Sequence, residues 1–92
     1  MASKGSISTA KKLLKLAQSE EKSDRTYAHL LSKAIDRRIA LGLTQVMVGE
    51  KSGLDGKTIS RIERVDTQVT AKTFFRYLNS LDLECKLREK DS

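Results

Sequence analysis

At 92 residues, with a net charge of +6, no proline, one histidine and one cysteine, the chain is one domain near the size where a single core is marginal. The lone Cys85 excludes an internal disulfide and a cysteine-cluster zinc site. A single histidine leaves a metal short of ligands, and no apolar run approaches membrane-spanning length. Residues 1–24 carry five basic and three acidic groups, 25–81 ten and five, and 82–92 three and four, so the middle segment favours a phosphate partner.

Met1 to Ser8 is small and polar and reads as a flexible arm. Ala10, Leu13, Leu14 and Ala17 then follow helical spacing, with Lys11, Lys12 and Lys15 elsewhere on the turn and Ser8 or Thr9 as a cap. Such a basic, serine-rich start has the composition of an organelle transit peptide or a membrane-surface helix. Its three turns run straight into Glu20 and Glu21, which favours packing on the domain, on a dimer mate or on another protein. Asp24 is placed to cap a second helix. Its stripe is Tyr27, Leu30, Leu31, Ala34, Ile35 and Ile39, and Gly42 ends it. His29 beside Leu30 has no acid, base or nucleophile set around it and reads as a surface or boundary residue, so no enzyme is expected.

Gln45 to Arg64 reads as two short helices joined by a glycine turn. Thr44 is an N-cap type, Gly49 is a small residue where a second helix must cross, and Gly53 supplies the positive φ that turns the chain. Val48, Leu54, Ile59 and Ile62 give the pair one apolar face. At about 100° per residue, Lys57, Arg61 and Arg64 lie opposite Ile59 and Ile62, with Ser60 beside them. That outward face carries three cations and no acid, whereas a merely solvated face would mix the signs. A helix presented in this way is used for insertion into a DNA major groove. Val65 to Val69 is a polar connector. Thr70 can cap a further helix in which Phe74, Leu78 and Leu81 face inward and Phe75 or Tyr77 adds flank.

From Asp82 the period changes to two, as Leu83, Cys85 and Leu87 alternate with Glu84, Lys86 and Arg88. A single strand cannot satisfy its own edge, and Ser6-Ile7-Ser8 is only a weak partner for it. Antiparallel pairing with the same strand of a second copy is the simplest solution. Cys85 then fills a small apolar slot in preference to a redox role. The expected organisation is an N-terminal arm and short helix over 1–23, a helix-turn-helix domain over 24–81 and a dimerisation strand over 82–89.

Leu41-Gly42-Leu43-Thr44-Gln45, Ser52-Gly53-Leu54 and Thr58-Ile59-Ser60-Arg61-Ile62-Glu63 together resemble the Cro/C1 (xenobiotic response element) helix-turn-helix family over residues 28–81. The stretch Thr73 to Leu83 is similar, more narrowly, to HipB-type antitoxins of HipA-like kinase modules. It has the double Phe74-Phe75, a helix ending Leu78-Asn79-Ser80-Leu81, and an immediate C-terminal strand. The resemblance implies a lambda-repressor-like, mainly α bundle with a C-terminal dimerising β-strand, no cofactor, and a bacterial cytoplasmic setting. It implies phosphate contacts from Gln45 and Thr58, and base contacts or a fixed helix start at Asp55 and Gly56. Lys57 and Arg61 match positions that reach base edges, in agreement with the angular argument. Arg38 and Glu63 match a largely buried salt bridge, which removes Arg38 from the DNA contacts. Asp55 doubles as the N-cap that a helix start requires with or without DNA. Two departures stand out. Arg64-Val65-Asp66 lacks the glycine common after this helix, and Gly56 leaves the recognition helix without a side chain at its first turn.

The expected mechanism pairs two copies and presents two recognition helices to successive major grooves of a near-palindromic operator. Gln45, Thr58, Arg64 and Lys72 set the register on phosphates, and Gly56, Lys57, Ser60 and Arg61 meet the bases. Three readings compete: an autoregulating antitoxin that also binds a HipA-like kinase toxin, a stand-alone phage-type repressor or restriction-modification controller, and a protein-interaction adaptor without DNA binding.

Overall fold

Helix caps written into the sequence divide the chain. A computed structural model describes residues 6–66 and 69–85, with side chains from Thr9 onward. Five α-helices run through these residues: α1 Ser6–Ala17, α2 Lys22–Ala40, α3 Gln45–Ser52, α4 Gly56–Glu63 and α5 Ala71–Ser80. The expected caps at Thr44 and Thr70 are formed: their hydroxyls accept from the backbone N–H of Met47 and Thr73 at 3.1 and 3.2 Å. Gly53 sits at φ +74° and closes α3, as its position in the sequence required.

Four helices stop by one device. At the ends of α2, α3, α4 and α5, a residue in the left-handed region lets the next N–H reach back five residues: Leu43 to the Arg38 carbonyl, Leu54 to Gly49, Asp66 to Arg61, and Leu83 to Leu78. The left-handed residues are Gly42 (φ +70°), Gly53, Val65 (φ +65°) and Asp82 (φ +58°). Glycine suits this conformation, whereas a β-branched valine does not, and Val65 carries a strain of about 1–3 kcal/mol.

Leu31 and Ala34 of α2, Val48 of α3, Ile59 and Ile62 of α4, and Phe74, Tyr77 and Leu78 of α5 meet in one core that Leu81 closes. Tyr77 is its largest fully buried side chain. α1 lies along α2 and reaches this core with Leu13.

Several expectations need correction. α1 begins at Ser6, so Ser6-Ile7-Ser8 is helical rather than a strand, and Thr9 lies inside the helix instead of capping it. α2 begins two residues before Asp24. Asp24 accepts a hydrogen bond from the Ser19 hydroxyl at 2.8 Å and acts as a first-turn acid, not as the cap. Leu14 and Ile39, expected on buried stripes, are 57% and 61% exposed. Of Phe75 and Tyr77, the two candidates for the flank, Tyr77 is central and Phe75 is exposed.

The strand expected from Asp82 is not formed among the described residues. Asp82 and Leu83 belong to the α5 cap, Leu83 packs half-buried against the core, and Cys85 is exposed rather than lodged in an apolar slot. Leu87, with Lys86 and Arg88, lies outside the described residues.

Gly49 is fixed by crowding. A Cβ there would stand 2.9 Å from the Leu54 carbonyl oxygen and 3.0 Å from the Asp55 carbonyl carbon, both backbone atoms of the turn into α4. Gly49→Ala therefore has to push α4 away from α3. It is expected to cost about 1–3 kcal/mol, read as a lower urea midpoint with an unchanged denaturant slope.

Candidate nucleic-acid interface

The short helix α4 carries the candidate interface, and its start is set by Asp55. That carboxylate accepts the Thr58 N–H at 2.7 Å. Hydrogen bonding from the Thr58 side chain first, and from its backbone second, holds the Asp55 carboxyl below its ordinary 3.8. Ile59, Ile62 and Glu63 then turn inward, and Lys57, Arg61 and Arg64 stand exposed on the opposite side. Ser60, Thr58 and Gly56 lie half-buried along the edges. Lys72 is exposed in the first turn of α5.

Gly56 is required neither by its backbone nor by crowding. Its φ is not positive, and a Cβ would meet Val46 Cγ2 at 3.4 Å, the edge of ordinary contact.

Arg61 is not free. Its Nε and a terminal guanidinium nitrogen both reach Asp66 Oδ2, at 3.0 and 2.9 Å. The outward face of α4 itself holds no acid, but the cap that ends it supplies one. The Arg61 and Asp66 side chains are 52% and 28% exposed, so the pair is worth at most about 1 kcal/mol. An attacking anion can take the arginine from it. Sequence reasoning missed Asp66 because it counted acids within the helix and not in the turn that folds back under Arg61.

Behind the exposed face, Glu63 is 5% exposed and is bonded on every side. Arg38 Nε donates to Oε2 at 2.7 Å and a terminal nitrogen to Oε1 at 2.9 Å. Gln45 Nε2 donates to Oε1 at 3.2 Å and the Tyr77 hydroxyl to Oε2 at 2.7 Å. Arg38 spends a further N–H on the Leu43 carbonyl at 2.8 Å, so it is a structural residue. Burial first, and the Glu63 charge second, push the Tyr77 hydroxyl far above its ordinary 10.0. Tyr77 is the second residue that sequence reasoning missed. Its place three residues after Phe74, on the inward stripe, was the available signal.

One of the two amide hydrogens of Gln45 is spent on Glu63. Among the described residues no cluster of His, Cys, Asp and Glu could hold a metal ion, and no helix is long and apolar enough to cross a membrane.

A Helix-turn-helix family model matches residues 35–86, more than half of the chain. The match starts within α2 and leaves α1 outside it. No curated protein and no solved structure matches the chain.

Two substitutions separate the parts of the Glu63 cluster. Arg38→Met leaves a buried carboxylate without its cation and is expected to cost about 3–5 kcal/mol in chemical denaturation. Tyr77→Phe removes one hydrogen bond to a charged acceptor, at about 1.5–3 kcal/mol. The Tyr77 pKa is raised in the folded state, so its contribution is whole below its ordinary 10.0 and declines as pH rises past that value. A stability profile of Tyr77→Phe should therefore be flatter than the wild-type profile on the alkaline side. Equal profiles would remove Tyr77 from the cluster's energetics.

Proposed function

The chain belongs to the Cro/C1-type helix-turn-helix family and is a DNA-binding regulator; from that premise we propose that it is a homodimeric repressor whose α4 reads a near-palindromic operator. The observation that carries the reading is the division of α4. Ile59, Ile62 and Glu63 are buried, and three cations stand exposed on the other side.

In this reading α4 enters the major groove, where Lys57 and Arg61 meet guanine edges and Ser60 lies beside them. Arg61 exchanges Asp66 for the base. Gly56 lets the first turn of α4 approach the DNA closely, which accounts for a glycine that neither backbone nor crowding demands. Gln45, Thr58, Arg64 and Lys72 bind phosphates and set the register. Repression follows from occupying the promoter, including that of the protein's own gene.

The dimer is part of the proposal. The alternating residues after Leu83 are what support it, and pairing would start beyond the α5 cap, at Glu84 rather than Asp82. Light scattering of the full chain against a truncation after Leu83, which keeps the cap intact, tests this. The full chain is expected at twice the monomer mass and the truncation at the monomer mass; a truncation that stays dimeric sinks strand pairing.

A HipA-like kinase toxin as second partner rests on the likeness of Thr73 to Leu83 to HipB-type antitoxins. Phe75, 47% exposed, belongs to that stretch and borders an apolar groove of about 690 Å³ between α2 and α5 that also holds Tyr27, Leu30 and Val69. Copurification with the product of an adjacent kinase-like gene is the expected outcome.

Fluorescence anisotropy against the DNA directly upstream of the gene tests the central claim. Lys57→Ala and Arg61→Ala should each lose about 1–3 kcal/mol of preference for that DNA over a scrambled duplex. Equal binding of wild type and the double variant to both duplexes would reject base reading by α4.

A further inference from the structure

The helix outside the family match is fastened to the recognition helix. α1 supplies what the C-terminus of α4 lacks: the Thr9 hydroxyl donates to the Glu63 carbonyl at 3.1 Å, and Lys12 Nζ donates to the Arg64 carbonyl at 3.4 Å. These are last-turn carbonyls with no partner inside α4, and an ammonium group also complements the negative end of the helix dipole. α1 is thus a cap for α4 contributed from more than fifty positions away in the chain.

The rest of α1 follows from its periodicity. No acid occurs between Ser6 and Ala17. At about 100° per residue, Lys11 and Lys15 share one face, Lys12 stands beside them toward the α4 exit, and Leu13 and Leu16 lie on the far side. The apolar side packs along α2, with Leu13 on the core. The lysine face therefore cannot turn inward. Lys11 and Lys15 are exposed and make no ion pair with a described residue.

We propose that α1 extends the DNA interface: Lys11 and Lys15 bind phosphates flanking the major groove that α4 enters. The exposed cations of α4 and α1 meet where Lys12 donates to the Arg64 carbonyl, and Lys11 and Lys15 are exposed on the same helix as Lys12. That junction at the exit of α4, and a charge sign that a polyanion matches, select DNA as the occupant. The inference rests on the reading of α4 as the groove-binding helix. These contacts carry no base information, so they add affinity and salt sensitivity but no sequence preference.

The test is a salt titration of the full chain by anisotropy, on a random-sequence duplex and on the DNA upstream of the gene. The variants are Lys11→Gln/Lys15→Gln, its conservative partner Lys11→Arg/Lys15→Arg, and Lys51→Gln as a net-charge control at the far end of α3 from Gln45. Lys12 is left in place because it holds the Arg64 carbonyl. Each neutralised phosphate contributes roughly 0.9 to the slope of log affinity against log salt. The glutamine variant should therefore lose about 1.8 from the slope on both duplexes, with its preference between them intact. The arginine variant should keep the wild-type slope, and Lys51→Gln should barely change it. A glutamine variant with the wild-type slope overturns the inference. So does a slope loss no larger per charge than that of Lys51→Gln. Loss of binding to anionic phosphatidylserine vesicles alone, with the DNA slope unchanged, would assign the face to a membrane surface and equally overturn it. If wild type shows no salt-dependent binding to either duplex, the α4 reading itself fails. If wild type binds and only the Lys11/Lys15 effect is missing, α1 alone is excluded.

Discussion

The arrangement of this protein depends on one buried carboxylate. Glu63 closes α4, and its two oxygens take hydrogen bonds from α2 through Arg38, from α3 through Gln45 and from α5 through Tyr77. Four helices are thereby referred to one group. A carboxylate held so far from water is costly unless fully paired, and here both oxygens are used twice. The geometry this enforces is narrow, because hydrogen bonds to a charged acceptor weaken quickly with distance and angle. Hydrophobic contacts alone would leave an eight-residue helix freer to slide and rotate. α4 has only Ile59 and Ile62 fully buried in the core, too few anchors to set its rotation. The Glu63 cluster supplies the missing constraint and thereby decides which residues of α4 face outward.

The same economy appears at the helix ends. α4 begins on the Asp55 carboxylate, runs two turns, and ends in a left-handed turn at Val65 whose next residue bonds back to Arg61. Valine is a poor choice for that conformation. Its half-buried side chain nevertheless packs against the core, so apolar contact offsets part of the strain that glycine would avoid. The turn also delivers Asp66 to the Arg61 guanidinium. In the proposed reading, where Arg61 meets a base, this weak exposed partner would order the guanidinium in advance at small energetic cost.

Much of this was legible in the sequence, for identifiable reasons. The Thr44, Gly53 and Thr70 boundaries depend on local backbone chemistry, and so does the turn at Gly42. Local rules placed them. Gly49 was legible as a close crossing because only a glycine lets backbone meet backbone there. Lys57, Arg61 and Arg64 were legible because an outward face follows from helical angle once Ile59 and Ile62 are inside. What was not legible depended on partners distant in sequence. The spacing after Phe74 puts Tyr77 on the inward stripe, but that its hydroxyl serves Glu63 is not readable from the sequence. Thr9 reads as a cap until the α4 carbonyl it serves is in view. The alternation after Asp82 suggested a strand, but Asp82 and Leu83 are claimed by the α5 cap, a three-residue device that a period-two pattern does not reveal.

Gln45 links the buried cluster to the surface. Its amide nitrogen carries two hydrogens, and one is committed to Glu63. A phosphate taken by the other would be held by a side chain whose position is already fixed, so little rotamer freedom would be lost on binding. The same carboxylate that orients α4 would then fix the distance between α4 and the phosphate that Gln45 takes. Neutralisation matters as well. Glu63 lies directly behind the cationic face, and an unpaired negative charge there would oppose a polyanion. With Arg38 bound to it through two nitrogens, its field is cancelled where it arises. Glu63 then takes nothing from the charge of the exposed face, on which Asp66 still pairs with Arg61. One paired, buried carboxylate thus allows a short helix to be rigid and cationic at once.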